Sequence, residues 1–174
     1  MIELFVGPMF AGKTEALIHE IRICKDSYEV FKPSCDTRDS ISNVVSHDKS
    51  EVPAVPVQTA GDILRLCGNA KAVFIDEVQF FGPAILSVCR TLEDRNIRVV
   101  CSGLDMDSNR LPFGCIGDLM AMASSVHKLK AICSVCGHPA VYSFRKVPVK
   151  DRIFVGGDGQ YTALCGECWE VAHG

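Results

Sequence analysis

A segment of eight residues near the start of the chain, residues 7–14, most strongly constrains how this sequence can fold. Its sequence, GPMFAGKT, fits the pattern G-x-x-x-x-G-K-[ST] at every fixed position. It follows an apolar run at 2–6 and precedes a segment at 15–25 whose apolar residues recur at helical spacing. In such a strand–loop–helix unit, glycines let backbone N–H groups converge on an anion at the helix N-terminus. The segment therefore predicts a phosphate-binding loop.

The first 128 residues alternate between strand-like and helix-like segments. Dense apolar runs at 71–76 and 97–104 are typical of strands buried on both faces, and 83–95 has the spacing of an amphipathic helix. This alternation predicts an α/β fold in which a parallel sheet is flanked by helices. We also expect a polar loop at 36–49 and an edge strand or extended segment at 52–57, which contains two prolines.

Two adjacent carboxylates, Asp76 and Glu77, end the apolar run at 71–76. Ligands of open parallel sheets bind at the carboxyl ends of the strands, so we expect Asp76 to hold Mg²⁺ beside the phosphate loop. In such loops the lysine, here Lys13, contacts the β- and γ-phosphates, and the hydroxyl of Thr14 contacts Mg²⁺. Glu77 is a candidate base for a hydroxyl or water proton. Taken alone, Glu77 could equally be a solvated residue at a strand end.

Four of the ten cysteines form two C-x₂-C pairs near the C-terminus, with 28 residues between the pairs. Four thiolates at this spacing predict a closed tetrahedral zinc site without an open position for water, which indicates a structural metal. A redox C-x-x-C site is the alternative, but two pairs in one short segment favour zinc. The predicted ligands are Cys133, Cys136, Cys165 and Cys168.

The character of the sequence changes near residue 128. Short strand-like pieces, the cysteine pairs and several glycines replace the strand–helix alternation. We therefore expect two domains, a nucleotide-binding domain at 1–128 and a zinc-binding domain at 129–174. The second, about 46 residues long, can bury little core by itself, so a bound metal would stabilise it.

The composition disfavours several classes of protein. A formal net charge of −3 gives no general electrostatic reason to bind nucleic acid or an anionic membrane. No apolar run approaches the roughly 18 residues of a membrane span, and residues 1–6 lack the basic segment of an export signal. We therefore expect a cytoplasmic protein without a membrane partner. Its six remaining cysteines are expected to be buried as small apolar residues.

These motifs together resemble the cytosolic, zinc-containing, P-loop type of thymidine kinase. Beyond the phosphate loop and the cysteines, the resemblance rests on DTR at 36–38, IDEVQFF at 75–81, LD at 104–105 and PFG at 112–114. It covers nearly the whole chain. The resemblance implies a RecA-like parallel sheet domain and a small zinc-ribbon domain whose lasso loop covers the substrate. It implies transfer of the γ-phosphoryl group of ATP to the 5′-hydroxyl of thymidine with Mg²⁺, in a homotetramer inhibited by the end-product triphosphate.

The resemblance also assigns roles to individual residues. Glu77 corresponds to the general base, and Arg38 to a residue near the transferring phosphoryl group. The implied residues for ATP and Mg²⁺ are Gly7, Pro8, Met9, Phe10, Ala11, Gly12, Lys13, Thr14, Asp36, Arg38, Asp76, Glu77, Val78 and Gln79. The implied residues for thymidine are Met9, Phe80, Leu104, Ser108, Tyr161 and the lasso residues Arg152, Ile153, Phe154, Val155 and Gly156.

One position departs from the family pattern. The family usually has a phenylalanine where this chain has Ser108, and its ring packs on the thymine. Serine has no ring face, so about 1 kcal/mol or more of aromatic packing is lost. We expect an effect on thymidine affinity or base selectivity.

Two other functions fit parts of the sequence. A P-loop ATPase with a nucleic-acid-binding zinc ribbon should carry a broad basic surface, but residues 126–174 contain six Lys and Arg against four Asp and Glu. A P-loop protein without activity would not need Lys13, Thr14, Asp76 and Glu77 all intact. Thymidine phosphorylation without a nucleic-acid partner is therefore the favoured prediction, and the ATPase is the alternative.

Overall fold

In the computed structural model, the described residues are 1–36, 40, 42–46, 49–148, 156 and 159–173. The strands among them are β1 (Ile2–Gly7), β2 (Tyr28–Pro33), β3 (Asn43–Val45), β4 (Glu51–Pro53), β5 (Val55–Val57), β6 (Ala72–Ile75), β7 (Arg98–Leu104), β8 (Ser125–Lys128), β9 (Ala131–Ile132), β10 (Pro139–Ala140), β11 (Tyr142–Arg145) and β12 (Tyr161–Leu164). The helices are α1 (Lys13–Ile23), α2 (Ala60–Leu66), α3 (Ala84–Asp94), α4 (Ile116–Met122) and α5 (Gly166–His173), with a 3₁₀ turn at Val78–Phe81.

Strands from the first 128 residues form one sheet in the order β5-β2-β6-β7-β1-β8, and each neighbouring pair is parallel. Side chains alternate between the faces of a strand, so β1 places Ile2 and Leu4 in one core and Phe5 in the other. Side chains of α2, α3 and α4 cover the first core, and those of α1 cover the second. The predicted parallel sheet flanked by helices is confirmed.

The carboxyl ends of the central strands meet at one edge of the sheet. Gly7 at the end of β1 pairs with Leu104 at the end of β7, while Ile75 at the end of β6 pairs with Cys101. The segments that leave these strands are the phosphate loop, the Asp76–Glu77 pair and the loop from β7 to α4. The sheet topology therefore places the predicted motifs of residues 1–128 at a single edge of the sheet.

The segment 36–57 differs in part from the prediction. Within the expected polar loop, β3 pairs with β4 in an antiparallel ladder, and Val44 is fully buried against the core under α1. A single buried valine among polar residues produces no period that sequence analysis could detect. The expected extended segment is divided at Ala54 into β4 and β5, and β5, which contains Pro56, is an edge strand of the large sheet.

After β8 the chain forms a smaller layer, which we call the cysteine layer and which comprises β9 to β12 and α5. Its strands pair in antiparallel fashion, β9 with β10 and β11 with β12. A separate hydrophobic core contains Ala140, Leu164 and Trp169 together with cysteines. Among the described residues, no helix is both long enough and apolar enough to cross a membrane.

Candidate active site

The phosphate loop joins β1 to α1 and lies against the cysteine layer. Gly7 has a φ of +151°, and a Cβ at this position would come within 2.5 Å of the Leu129 carbonyl oxygen, so only glycine fits. The Met9 N–H donates a 2.9 Å hydrogen bond to Ser143 Oγ in β11. Lys13 Nζ is buried and donates a hydrogen bond to a carbonyl oxygen of the loop at 2.6 Å. The loop is therefore fixed by contacts from both the sheet and the cysteine layer.

Asp76 follows β6 and is buried at the edge of the sheet. Ser102 Oγ in β7 donates a 2.5 Å hydrogen bond to Asp76 Oδ1. Burial raises the pKa of Asp76 to about 7, and the nearby carboxylates of Glu77 and Asp36 act in the same direction, while the Ser102 hydroxyl opposes them. Asp76 therefore lies where negative charge accumulates and where a cation would be favoured.

The residues around Asp76 fit a magnesium ion. Asp36 is buried and its Oδ2 lies 3.3 Å from Lys32 Nζ, which compensates one of the negative charges. Asp76 and Glu77 interact with one another where β6 ends, at the sheet edge from which the phosphate loop also leaves, and Thr14 carries a hydroxyl at the start of α1. Oxygen donors of this kind are the ligands that Mg²⁺ prefers.

The carboxylate of Glu77 is held by a neighbouring amide. Glu77 has a left-handed backbone, with φ 49° and ψ 43°, which costs a non-glycine residue about 1–2 kcal/mol. Gln79 Nε2 donates a 2.5 Å hydrogen bond to Glu77 Oε2, and Gln79 Oε1 accepts one of 3.1 Å from the Leu104 N–H. The buried amide thus ties the Glu77 carboxylate to the end of β7.

The loop from β7 to α4, residues 105–115, contains Ser108 at the tip of a tight turn. Asp107 Oδ1 accepts hydrogen bonds from the N–H groups of Asn109, at 2.9 Å, and Leu111, at 3.0 Å. The Phe113 N–H donates to the carbonyl oxygen of Asp105 at 3.0 Å and closes the base of the loop. Ser108 itself is half-buried.

The remaining predicted thymidine residues lie in different places. Phe80 packs edge-to-face on Phe113, with ring centroids 5.6 Å apart, beside the first core. Tyr161 is buried in β12, and Gly156 is half-buried. Predictions for five residues fall outside the described part of the chain, namely Arg38, Arg152, Ile153, Phe154 and Val155.

The four predicted zinc ligands come together in the cysteine layer, with their Sγ atoms all within 4.8 Å of one another. Burial disfavours the thiolate of Cys133, but hydrogen bonds from the backbone N–H groups of Cys165, Cys136 and Val135 outweigh it and lower the pKa to about 6. A Cys133 side chain that loses its proton easily and lies beside three further sulfurs suits a tetrahedral zinc ion.

Several residues that shape this site were not among the residues predicted from the sequence. Lys32 compensates the negative charge of Asp36. Ser102 forms a hydrogen bond with Asp76, and Ser143 forms one with the phosphate loop. These residues belong to no motif, because their partners come from other strands or loops. The one signal was a lysine inside the otherwise apolar sequence VFKP of β2.

The fold and the site define a P-loop nucleotide-binding protein of the α/β class, with a separate cluster of four cysteines that could hold a metal ion. The model of the thymidine kinase family matches residues 1–169, and the chain belongs to this family. It is accordingly a kinase, and the family uses ATP and thymidine.

Individual relatives agree with this assignment. A thymidine kinase of Porphyromonas gingivalis is 42% identical over 171 residues, which cover 97% of this chain and 84% of the relative. Thymidine kinases of Bacteroides fragilis and Bacteroides thetaiotaomicron are 40% and 41% identical, over 98% and 99% of this chain and 87% and 88% of the relatives. These similarities favour a nucleoside kinase over a nucleic-acid-binding ATPase.

Among solved structures, a crystal structure of a DNA replication initiation factor aligns with a TM-score of 0.42 and 10% identity, over 74% of this chain and 39% of the other. A similarity of this size adds nothing to the assignment.

Proposed function

We propose that this enzyme transfers the γ-phosphoryl group of ATP to the 5′-hydroxyl of thymidine, with Glu77 as the general base. The observation that carries the proposal is the position of the Glu77 carboxylate, which Gln79 holds at the sheet edge where the phosphate loop and Asp76 also lie. Membership of the thymidine kinase family supports the choice of substrates.

The nucleotide phosphates would lie against residues 7–14, where loop N–H groups and the N-terminus of α1 favour an anion. Lys13 would exchange its bond to the loop carbonyl for the β- and γ-phosphates, where negative charge develops during transfer. Thr14 and Asp76 would hold Mg²⁺, which screens phosphate charge when bound. Asp36, Arg38 and the segment 76–79 would complete the nucleotide side of the site.

Glu77 would accept the proton of the 5′-hydroxyl while the hydroxyl oxygen bonds to the γ-phosphorus. The bond between the γ-phosphorus and the β,γ-bridging oxygen breaks, and ADP leaves with the bonding electrons. Gln79 supports this role because its amide donates a hydrogen bond to Glu77 Oε2 and holds the carboxylate in place. Glu77 directly precedes the 3₁₀ turn that follows β6, and Gln79 lies within that turn.

The thymidine would lie between the phosphate loop and the β7–α4 loop. Met9, Leu104, Ser108 and Phe80 are candidates for this pocket, and Tyr161, Gly156 and the lasso residues 152–155 would approach it from the cysteine layer. With a serine at 108, this pocket would lack the aromatic face that the family usually has at that position. We therefore propose weaker packing against the base than in enzymes with a phenylalanine there.

We further propose that 1–128 and 129–174 are separate domains, since the cysteine layer has its own core. Zinc bound by Cys133, Cys136, Cys165 and Cys168 would stabilise the second domain without taking part in the reaction. A site that needs reduced thiols suits a cytoplasmic enzyme. The homotetramer and inhibition by the end-product triphosphate are proposed from the family resemblance.

A direct assay tests the proposed function. The purified chain is incubated with ATP, Mg²⁺ and, in turn, each of the four deoxynucleosides and deoxyuridine, and nucleoside monophosphate and ADP are both quantified. We expect equal amounts of the two products, with thymidine as the best of the four deoxynucleosides. ATP hydrolysis that DNA or RNA stimulates, without any nucleoside monophosphate, would support the ATPase instead.

A further inference from the structure

Arg110 connects the β7–α4 loop to the cysteine layer. Its guanidinium carbon lies 4.4 Å from the centroid of the Tyr142 ring and 4.8 Å from that of Trp169. The same group donates hydrogen bonds to the Tyr142 hydroxyl, at 3.2 Å, and to the carboxylate of Glu170. A planar guanidinium held by two rings and a carboxylate has little freedom to reorient.

The two rings belong to residues that lie next to the second cysteine pair, Cys165 and Cys168. Trp169 follows Cys168 in α5, and its backbone N–H donates a 3.0 Å hydrogen bond to the carbonyl oxygen of Cys165. Tyr142 in β11 pairs with Leu164, the residue before Cys165, and its ring lies 6.3 Å from that of Trp169. The position of the Tyr142 and Trp169 rings therefore depends on whether the segment around Cys165 and Cys168 is folded.

Within its own loop, Arg110 closes the turn that contains Ser108. Its φ is +64°, a backbone conformation that is unfavourable for any residue with a Cβ. Its N–H donates to the carbonyl oxygen of Asp107 at 3.1 Å, next to the bonds that Asp107 Oδ1 accepts from Asn109 and Leu111. The docked side chain offsets the unfavourable backbone and so supports the turn.

The phosphate loop has a different contact with the same strand. Ser143 follows Tyr142 in β11, and neighbouring residues of a strand point to opposite sides. Ser143 Oγ accepts a hydrogen bond from the Met9 N–H of the phosphate loop, whereas Tyr142 contacts Arg110. A change at Arg110 can therefore affect the β7–α4 loop without removing the hydrogen bond between Ser143 and the phosphate loop.

We propose that Arg110 is a positioning residue that couples the order of the cysteine layer to thymidine affinity. With metal bound to the four cysteines, Tyr142 and Trp169 hold Arg110, and Arg110 holds the turn around Ser108 in its binding position. This inference rests on the proposed function, because it places the nucleoside beside the β7–α4 loop.

The test compares the wild type with Arg110→Met, which keeps most of the side-chain length but removes the charge and the hydrogen bonds. Arg110→Lys keeps the charge but not the planar group, and Arg90→Met, at an exposed position of α3, is the control. Hydrogen exchange of residues 105–113 is measured with and without a zinc chelator. The dissociation constants of thymidine and ATP are measured by titration calorimetry.

In the wild type, we expect the chelator to accelerate exchange at 105–113. In Arg110→Met and Arg110→Lys, exchange there is already fast, and the chelator adds no further change. The thymidine Kd rises about 3- to 10-fold in both variants, as expected for the loss of a guanidinium packed against two rings, while the Kd of ATP is unchanged. Arg90→Met behaves as the wild type.

The proposal is overturned if the Arg110 variants keep the exchange and thymidine affinity of the wild type. It is also overturned if thymidine and ATP affinities fall together, or if the chelator accelerates loop exchange equally in wild type and variants. If Arg110→Met does not fold, Arg110→Lys provides the same comparison. A wild type that binds no thymidine would refute the proposed function, whereas the exchange measurements would still decide on the coupling.

Discussion

The side-chain amide of Gln79 occupies the space in which a Cβ on Gly103 would lie. A methyl group at residue 103 would overlap Gln79 Oε1 and would lie 3.0 Å from Val78 Cγ1. The absence of a side chain at Gly103, one residue before the end of β7, thus lets Gln79 reach both Glu77 and the Leu104 N–H. Gly103 is therefore part of the support for the proposed base.

Gly103→Ala tests this relationship. The new methyl group should displace the Gln79 amide, release the Glu77 carboxylate and lower kcat about tenfold, which corresponds to the loss of one positioned hydrogen bond. Overpacking should also lower the free energy of unfolding by about 1–3 kcal/mol. Steady-state kinetics and urea unfolding measure the two effects. Gly117→Ala in α4, where a Cβ meets no atom within 4 Å, should leave kcat unchanged.

Glu77→Gln tests the assignment of the base. The amide keeps the size of the side chain but cannot accept the hydroxyl proton, so kcat should fall about 10²- to 10⁴-fold. The dissociation constant of ATP should change little, because the phosphate loop is a separate part of the site. Single-turnover kinetics and ATP titration provide the measurements. Near-normal turnover in this variant would exclude Glu77 as the base.

Removal of one cysteine tests the metal site. We expect one tightly bound zinc per wild-type chain. Cys168→Ser should lose it, because three thiolates no longer close the tetrahedron. The cysteine layer should then unfold at lower temperature, and the KM for thymidine should rise. Cys24→Ser, outside the cluster, should retain the zinc. Freshly purified, reduced wild type without zinc, by elemental analysis, would contradict the assignment.

Ser108→Phe tests the pocket. If the face beside the base is open, the new ring should lower the Kd of thymidine several-fold, since aromatic packing contributes about 0.5–1.5 kcal/mol. If another side chain fills that face, the ring should clash and weaken binding. ATP affinity should be the same in both proteins. Calorimetric titration of thymidine distinguishes the two results, and an unchanged Kd would show that residue 108 does not face the base.

The motifs that could be read from the sequence are those formed by contiguous residues. The phosphate loop needs glycines, a lysine and a threonine at set spacing, and these determine its backbone and its anion-binding groups together. The two cysteine pairs each bring two sulfurs to one point, and the four Sγ atoms do lie together. The parallel sheet could be predicted because β6 and β7 are apolar on both faces.

The features that only the tertiary structure decided are contacts between residues far apart in the chain. Met9 and Ser143 are separated by 134 positions, and Gln79 and Leu104 by 25. The same holds for Val44, whose burial depends on which helix covers it, and for Arg110, whose partners lie in two elements of the cysteine layer. A local pattern specifies the period and the turns of its own segment. Which segments become neighbours depends on the packing of the whole chain, because the stabilising contacts form only once the sheet and the cysteine layer are in place.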